Sequence, residues 1–343
     1  MSSENHQDYS PEHITKYANN YEEKLVKALI EKRGLAKEYI LAKREEYKQA
    51  LTRETAINSP TKEFPLTVNI ELTNKCNYKC SMCFTVSHEG AGISLGLDNA
   101  KKIIDECAQN ELMTLFIANG SEPTISVDFK DVVSYATKKI PDVAVFTNAV
   151  KLDKQMSQFL LDSGLTRLNI SLDAATKETY KTIRGGNLDD IERKINQFLE
   201  MRGNNIPLVR VSFVEQPENK TEVELFINKW KDKVESVEIQ KLHNFEHLAD
   251  LRVINNVNQL ADIEFIGKNS GHCYSPFSYL AVWSNGQISP CCSFHGSKLD
   301  IDNINRNASL KSMWNSEYMK ELRRQFKIQK LNDICRNCID CTG

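Results

Sequence analysis

Cys76, Cys80 and Cys83 stand on one short stretch, Cys76-Asn77-Tyr78-Lys79-Cys80-Ser81-Met82-Cys83, directly behind the apolar run Thr67-Val68-Asn69-Ile70-Glu71-Leu72. Three thiolates on a loop leaving a strand can reach three irons of a cubane cluster and leave the fourth without a protein ligand. An open iron is a place for chemistry. Two other readings fit the spacing: three unrelated cysteines, or a zinc site, which wants a fourth protein ligand for which His88 is the one close candidate. More cysteines stand near the C-terminus: Cys273, the pair Cys291-Cys292, then Cys335, Cys338 and Cys341. Ser284-Asn285-Gly286, between Tyr279-Leu280-Ala281-Val282-Trp283 and Gln287-Ile288, predicts a tight hairpin that brings Cys273 towards Cys291. A helix over 309–326 then carries the chain back to Cys335 and Cys338. Cys273, Cys291, Cys335 and Cys338 are enough to ligate every iron of a second 4Fe-4S cluster, with a zinc ribbon as the structural alternative. Cys107 falls in a predicted helix and reads as core, and Cys341 as a substitute for Cys338 or a free thiol.

Composition narrows the setting of these thiols. The 343 residues are 41% hydrophobic, enough for one large domain and a smaller one, and carry a net charge of −2. That balance lacks the basic excess of a general nucleic-acid binder. No apolar run approaches the ~20 residues of a membrane span, and the polar Met1 to Ser10 does not read as a signal peptide. Ten cysteines clustered at metal-ligand spacing, without an export signal, point to metal sites in a reducing, cytoplasmic compartment.

The elements that must position them follow from periodicity. Residues 1–63 read as a polar start and two amphipathic helices, 11–31 and 35–52, broken at Lys32-Arg33-Gly34 and packed as a hairpin outside the main domain. From 64 to 242, β-branched runs at 67–72, 113–118, 143–146, 167–171, 209–214 and 234–240 alternate with helical stretches. The fold class is therefore α/β: a partial (β/α)6 TIM-like barrel, with an N-terminal helical extension (1–63) and a small cysteine-rich C-terminal domain (271–343). Residues 243–270 form a polar connector, where His243 and His247 read as solvated side chains. Six units do not close an eight-stranded barrel, and ligands belong at the carboxyl ends of the strands, where the cysteine loop leaves the first.

The Cys-x-x-x-Cys-x-x-Cys spacing resembles the signature of the radical S-adenosylmethionine (radical SAM) superfamily, and further segments resemble it residue by residue. Gly120-Ser121-Glu122-Pro123 is similar to the Gly-Gly-Glu-Pro motif that holds the cofactor's amino group, with serine at the second glycine. Thr147-Asn148 looks like the start of a Thr-Asn-Gly segment. Asn169-Ile170-Ser171-Leu172-Asp173, followed by Tyr180 and Ile183-Arg184-Gly185, matches a longer family pattern. The resemblance implies that Ser171 contacts the cofactor near its ribose or carboxylate, Asp173 fixes the turn, and Arg184 pairs with the methionine carboxylate. It places Met82 against the adenine and Val214 on the other side. Cys273, Cys291-Cys292 and Cys335-x-x-Cys338 resemble the SPASM/Twitch auxiliary-cluster extension. Implied cofactors are S-adenosyl-L-methionine and two 4Fe-4S clusters, with a flavodoxin- or ferredoxin-type electron donor.

The resemblance implies a reaction in which a 5′-deoxyadenosyl radical takes a hydrogen atom from substrate. Electron transfer to the auxiliary cluster then gives oxidation, and return of a hydrogen atom from a thiol, for which Cys292 is the candidate, gives epimerisation. No strand-rich peptide-binding module is read in 1–63, which favours a small polar substrate, a sugar or aminocyclitol derivative, over a ribosomal peptide. Glu215, Gln216, Gln240 and His272 are candidate substrate contacts. The different class is an iron–sulfur electron carrier without catalysis, for which the segments around Glu122, Ser171 and Arg184 would have no use.

Overall fold

The computed structural model describes residues 14–18, 20–51, 61–83, 92–242, 273–292, 301–306 and 309–340, with the backbone alone at 14–18, 32–33, 48–51, 241, 306 and 337–340. In chain order the main elements are β1 (Ile14–Ala18), α1 (Tyr21–Arg33), α2 (Lys37–Leu51), β2 (Thr67–Ile70), α3 (Leu97–Gln109), β3 (Thr114–Ile117), α4 (Phe129–Lys139), β4 (Asp142–Thr147) and α5 (Lys154–Asp162). They continue as β5 (Arg167–Ser171), α6 (Lys177–Arg184), α7 (Leu188–Arg202), β6 (Leu208–Glu215), α8 (Val223–Trp230), β7 (Ser236–Lys241), α9 (Ser275–Ser278), β8 (Tyr279–Val282), β9 (Gln287–Ser289), β10 (Asp302–Asn303), α10 (Leu310–Trp314), α11 (Glu317–Lys327) and α12 (Asp333–Asp340). Among the described residues no helix is long and apolar enough to cross a membrane.

One open, ten-stranded sheet runs in the order β1-β7-β6-β5-β4-β3-β2-β8-β9-β10. Strands β2 to β7 are parallel, each followed by a helix up to β6, as a partial barrel requires. β8 joins β2 in parallel, so the C-terminal segment continues the same sheet. Alternation sorts the side chains onto two faces. Val68, Ile70, Leu115, Ile117, Val143, Val145, Leu168, Ile170, Val209 and Val211 are fully buried in the layer shared with the helices. The intervening residues form an inner face of another character: Asn69 pairs in register with Phe116, Phe146 with Asn169, and Ser171 with Ser212.

The six expected strands are all present, each shifted by two residues or less. Two expectations about helices are corrected. The stretch 11–31 is not one helix: Ile14–Ala18 pairs antiparallel with β7, and α1 begins only at Tyr21, after Asn20 turns the backbone left-handed at φ 52°. An exposed sheet edge offers unpaired backbone groups, and Ile14, Thr15 and Tyr17 are strand formers that can use them. The helix expected over 309–326 is two, because Ser316 accepts from the Met319 amide and caps a fresh start.

The α1–α2 hairpin packs where expected on the outside, at the N-terminal ends of the strands. Tyr21, Leu25, Leu29 and Ile40 bury against Met113 and Leu208, which precede β3 and open β6. Arg44 forks onto Glu22 with two bonds of 2.7 Å, joining the two helices. The hairpin thus closes the end of the barrel opposite the cysteine loop.

Candidate active site

The cysteine loop leaves the carboxyl end of β2 and is pinned at three points. The Glu122 amide donates to the Lys75 carbonyl (3.1 Å), the Ser81 amide to the Ile183 carbonyl (2.9 Å), and the Cys83 amide to the Cys80 carbonyl (3.0 Å). Cys76 is exposed, Cys83 half-buried and Cys80 buried. Among the described residues no three His, Cys, Asp or Glu side chains converge as a metal site; it is the neighbours of the thiols that suit them to a cluster. The Tyr78 amide donates to Cys76 Sγ at 3.4 Å, and Asn148 Nδ2 lies 3.9 Å from the same sulfur while donating to Asn77 Oδ1 at 2.7 Å. Burial pushes the Cys80 thiol up to about 11, and the Arg184 guanidinium beside it works in the other direction. N–H donors and a cation around sulfur stabilise a thiolate-held cluster.

The segment that carries Arg184 also seats the loop. Gly185 ends α6 at φ 74°, and Gly186 packs so closely on Tyr78 that a Cβ there would lie 2.2 Å from its hydroxyl oxygen. The Tyr78 and Tyr180 rings meet edge to face at 6.3 Å.

Glu122 is buried, and its carboxylate fastens the ends of β3 and β4. Thr147 Oγ1 and the Asn148 amide each donate to it at 2.7 Å, and Thr124 donates through its amide (3.2 Å) and hydroxyl (2.5 Å). Burial raises this carboxyl above its ordinary range, with the donors opposing the rise. Gly120 and Pro123 are buried beside it, Pro123 opening a short helical turn, while the half-buried Ser121 presents an Oγ without a partner.

Asp173 sits at φ 60° with its carboxylate fully buried. Its Oδ1 accepts from the Val214 amide at 2.8 Å, and its Oδ2 takes both Nε and Nη2 of Arg184. Arg184 is therefore oriented by Asp173. Ser171, Val214 and Met82 are half-buried at the same end of the sheet.

In the C-terminal segment the hairpin forms as expected, with Gly286 at φ 83° between β8 and β9. Cys273 is close enough to Cys335 and to Cys292 for their charges to interact. Burial pushes Cys335 up to about 12, and Asn332 donates to its sulfur at 3.4 Å. Cys291 is half-buried, its carbonyl bonded to Ser289 Oγ at 2.7 Å, and Cys292 is exposed. Cys338 lies on α12, three residues beyond Cys335. His88, His243, His247, His272 and Cys341 lie outside the described residues.

Several residues that matter here were not singled out by sequence. The half-buried Tyr279 places its hydroxyl within hydrogen-bond reach of Cys292 and accepts from Asn69 Nδ2 at 2.5 Å. Glu71 is buried and accepts from the Ser284 amide (3.0 Å), the Ser284 hydroxyl (2.7 Å) and the Gly120 amide, linking the Gly120-Ser121-Glu122 turn to the auxiliary hairpin. Burial raises its carboxyl to about 6 against those bonds. The available signal was a polar residue at every second position of otherwise apolar strands.

A family model described as the radical SAM superfamily matches residues 70–228, and one described as an iron-sulfur cluster-binding domain, SPASM, matches residues 273–339. The chain belongs to the radical SAM superfamily of enzymes and carries a C-terminal SPASM domain. Its cofactors are accordingly S-adenosylmethionine and 4Fe-4S clusters. A probable GTP 3′,8-cyclase of Methanococcus maripaludis is 32% identical over 135 residues, 38% of this chain and 45% of that relative, so the match spans less than half of the relative's length. Among solved structures, Streptococcus suis SuiB bound to precursor peptide SuiA aligns at a TM-score of 0.57 and 18% identity, covering 84% of this chain and 72% of the other. BtrN in complex with AdoMet and 2-DOIA aligns at 0.51 and 15%, covering 81% and 94%. At such identities the likeness is one of fold.

Proposed function

We propose that this radical SAM enzyme is an oxidoreductase or epimerase that removes a hydrogen atom from a carbon of a small polar substrate, a sugar or aminocyclitol derivative. The observation that carries the reading is the hydrogen bond between Asn69 and Tyr279, which joins the barrel's inner face to the thiol-bearing C-terminal segment. A substrate on that face lies between the two cysteine groups. S-adenosylmethionine bound at a reduced four-iron cluster supplies a 5′-deoxyadenosyl radical.

The chain's own residues divide the remaining work. Cys76, Cys80 and Cys83 hold the first cluster, and Cys273, Cys291, Cys335 and Cys338 the second. Carbonyls of the Gly120-Ser121 turn and the Glu122 carboxylate accept from the methionine ammonium, and Arg184, held by Asp173, offers its remaining N–H to the carboxylate. Ser171 and Asn148 border the ribose, and Met82 and Val214 the adenine. A carbon radical beside a hydroxyl would then either lose a proton to solvent and an electron to the second cluster, becoming a ketone, or take a hydrogen atom from Cys292, whose thiyl radical would return to the thiol by taking up an electron from the external donor and a proton from solvent. A flavodoxin- or ferredoxin-type protein supplies electrons from outside.

The likeness of fold to SuiB with its precursor peptide supports a second reading, a maturase or epimerase of a ribosomally made peptide. Anaerobic incubation with S-adenosylmethionine, dithionite and candidate substrates tests the proposal. Substrate-dependent 5′-deoxyadenosine is expected, carrying deuterium from a deuterated substrate. No 5′-deoxyadenosine under any condition would leave an electron carrier as the better account. An unchanged epimerised product from Cys292→Ala would remove the role given to that thiol.

A further inference from the structure

The inner face of the barrel carries two phenylalanines and two asparagines one layer below the Ser171 end. Phe116 and Phe146 stand side by side, ring centroids 5.3 Å apart, and are half-exposed although their strand neighbours Leu115, Ile117, Val145 and Thr147 are buried. Asn69 and Asn169 flank them in register, only 4% and 3% exposed. Neither Nδ2 nor Oδ1 of Asn169 has a hydrogen-bond partner, and Asn69 Oδ1 has none. A buried carboxamide without partners destabilises a fold, so its place on the inner face beside two half-buried rings points to a ligand that satisfies it. Half-buried Ser212, paired in register with Ser171, adds a hydroxyl to the same wall.

The two strand arginines of this face are paired with carboxylates. Arg167 puts Nε and Nη2 on Asp142 at 2.8 and 2.5 Å and lies over the Phe116 ring at 5.3 Å, and Arg210 puts Nη1 on Glu238 at 2.6 Å. A phosphate needs cationic donors that are not committed elsewhere. Aromatic faces beside carboxamides instead suit a ring whose C–H groups pack on the π-face and whose hydroxyls both donate and accept. We infer that Asn69, Asn169, Phe116 and Phe146 determine specificity for a polyhydroxylated ring without phosphate. The inference deepens the functional reading above and rests on it.

Equilibrium dialysis of radiolabelled scyllo-inositol, 2-deoxystreptamine and GTP against the anaerobic holoenzyme with S-adenosylmethionine tests it. Retention of at least one ring compound above GTP is expected, weakened about tenfold or more by Asn169→Leu and by Phe146→Leu. Because the Asn169 side chain bonds nothing among the described residues, Asn169→Leu should melt at or above the wild-type temperature. The inference is overturned by GTP retained as well as the rings, by no ring retention, or by ring binding unchanged in both variants. If Asn169→Leu melts lower, Phe146→Leu alone decides. Wild-type 5′-deoxyadenosine formation is measured in parallel: its absence fails the functional reading, while its presence with unchanged ring binding fails only this inference.

Discussion

The side-chain amide of Asn69 donates to the Tyr279 hydroxyl across 2.5 Å, tying β2, which leads into the cysteine loop, to β8, which follows Cys273. The same Asn69 nitrogen also reaches Asn119 Oδ1, and Tyr279 touches Cys292. Sheet pairing brings the two strands together, and these side chains make the junction polar on the inner face. Tyr279→Phe strands one buried amide hydrogen and should cost about 1–3 kcal/mol, measured by denaturant unfolding, while Asn69→Leu/Tyr279→Phe should cost less than the two single changes summed. Strict additivity would contradict the coupling.

Asp173 and Arg184 form a buried pair whose halves do not stand alone. Asp173→Ala leaves a guanidinium buried without its carboxylate, with an expected loss of about 3–5 kcal/mol. Adding Arg184→Met should recover part of that loss in thermal unfolding, without restoring S-adenosylmethionine binding. Recovery of binding in the double variant would mean that Arg184 has no part in holding the cofactor.

Gly186 is set by a close approach. Its Cβ would lie 2.2 Å from the Tyr78 hydroxyl, so Gly186→Ala must shift the Tyr78 side chain, which stands in the loop between Cys76 and Cys80. Iron retained at the first cluster should fall in Gly186→Ala and return in Gly186→Ala/Tyr78→Ala. Full iron retention in the single variant would show that the loop tolerates the shift.

Glu71 predicts a pH dependence. Its folded carboxyl is raised from 4.5 to about 6, so the folded state binds the proton more tightly than the unfolded chain. Stability from this group is therefore fully present below the unfolded value and is lost as pH rises through the folded one. The difference, roughly 2 kcal/mol, develops between about pH 4.5 and 6 and stays level above. Glu71→Gln should remove that slope, whatever its constant offset, in melting curves taken across the window. An unchanged slope would place the titration elsewhere.

Much of this was legible because the controlling residues carry local signals. The β-branched runs gave the parallel strands, and Ser284-Asn285-Gly286 gave the hairpin between β8 and β9, although the cysteine whose charge reaches Cys273 is Cys292 where Cys291 was expected. Glu122, Asn148, Asp173 and Arg184 were singled out by motif, while the hydrogen bonds that hold them were not legible. What escaped was non-local. Ile14–Ala18 reads as part of a polar helical stretch until β7 is seen to need an edge partner. Asn69, Asn169 and Tyr279 are ordinary strand residues until the register turns them to the inner face, and Glu71 gains meaning only when β8 brings Ser284 to it.

The measurement that tests the central claim most directly is iron and sulfide content after anaerobic reconstitution, compared between wild type and Cys76→Ala/Cys80→Ala/Cys83→Ala. Two four-iron clusters predict about eight irons falling to about four, with the remaining cluster held by the C-terminal cysteines. About four irons falling to none would contradict the second cluster, and with it the path proposed for oxidation.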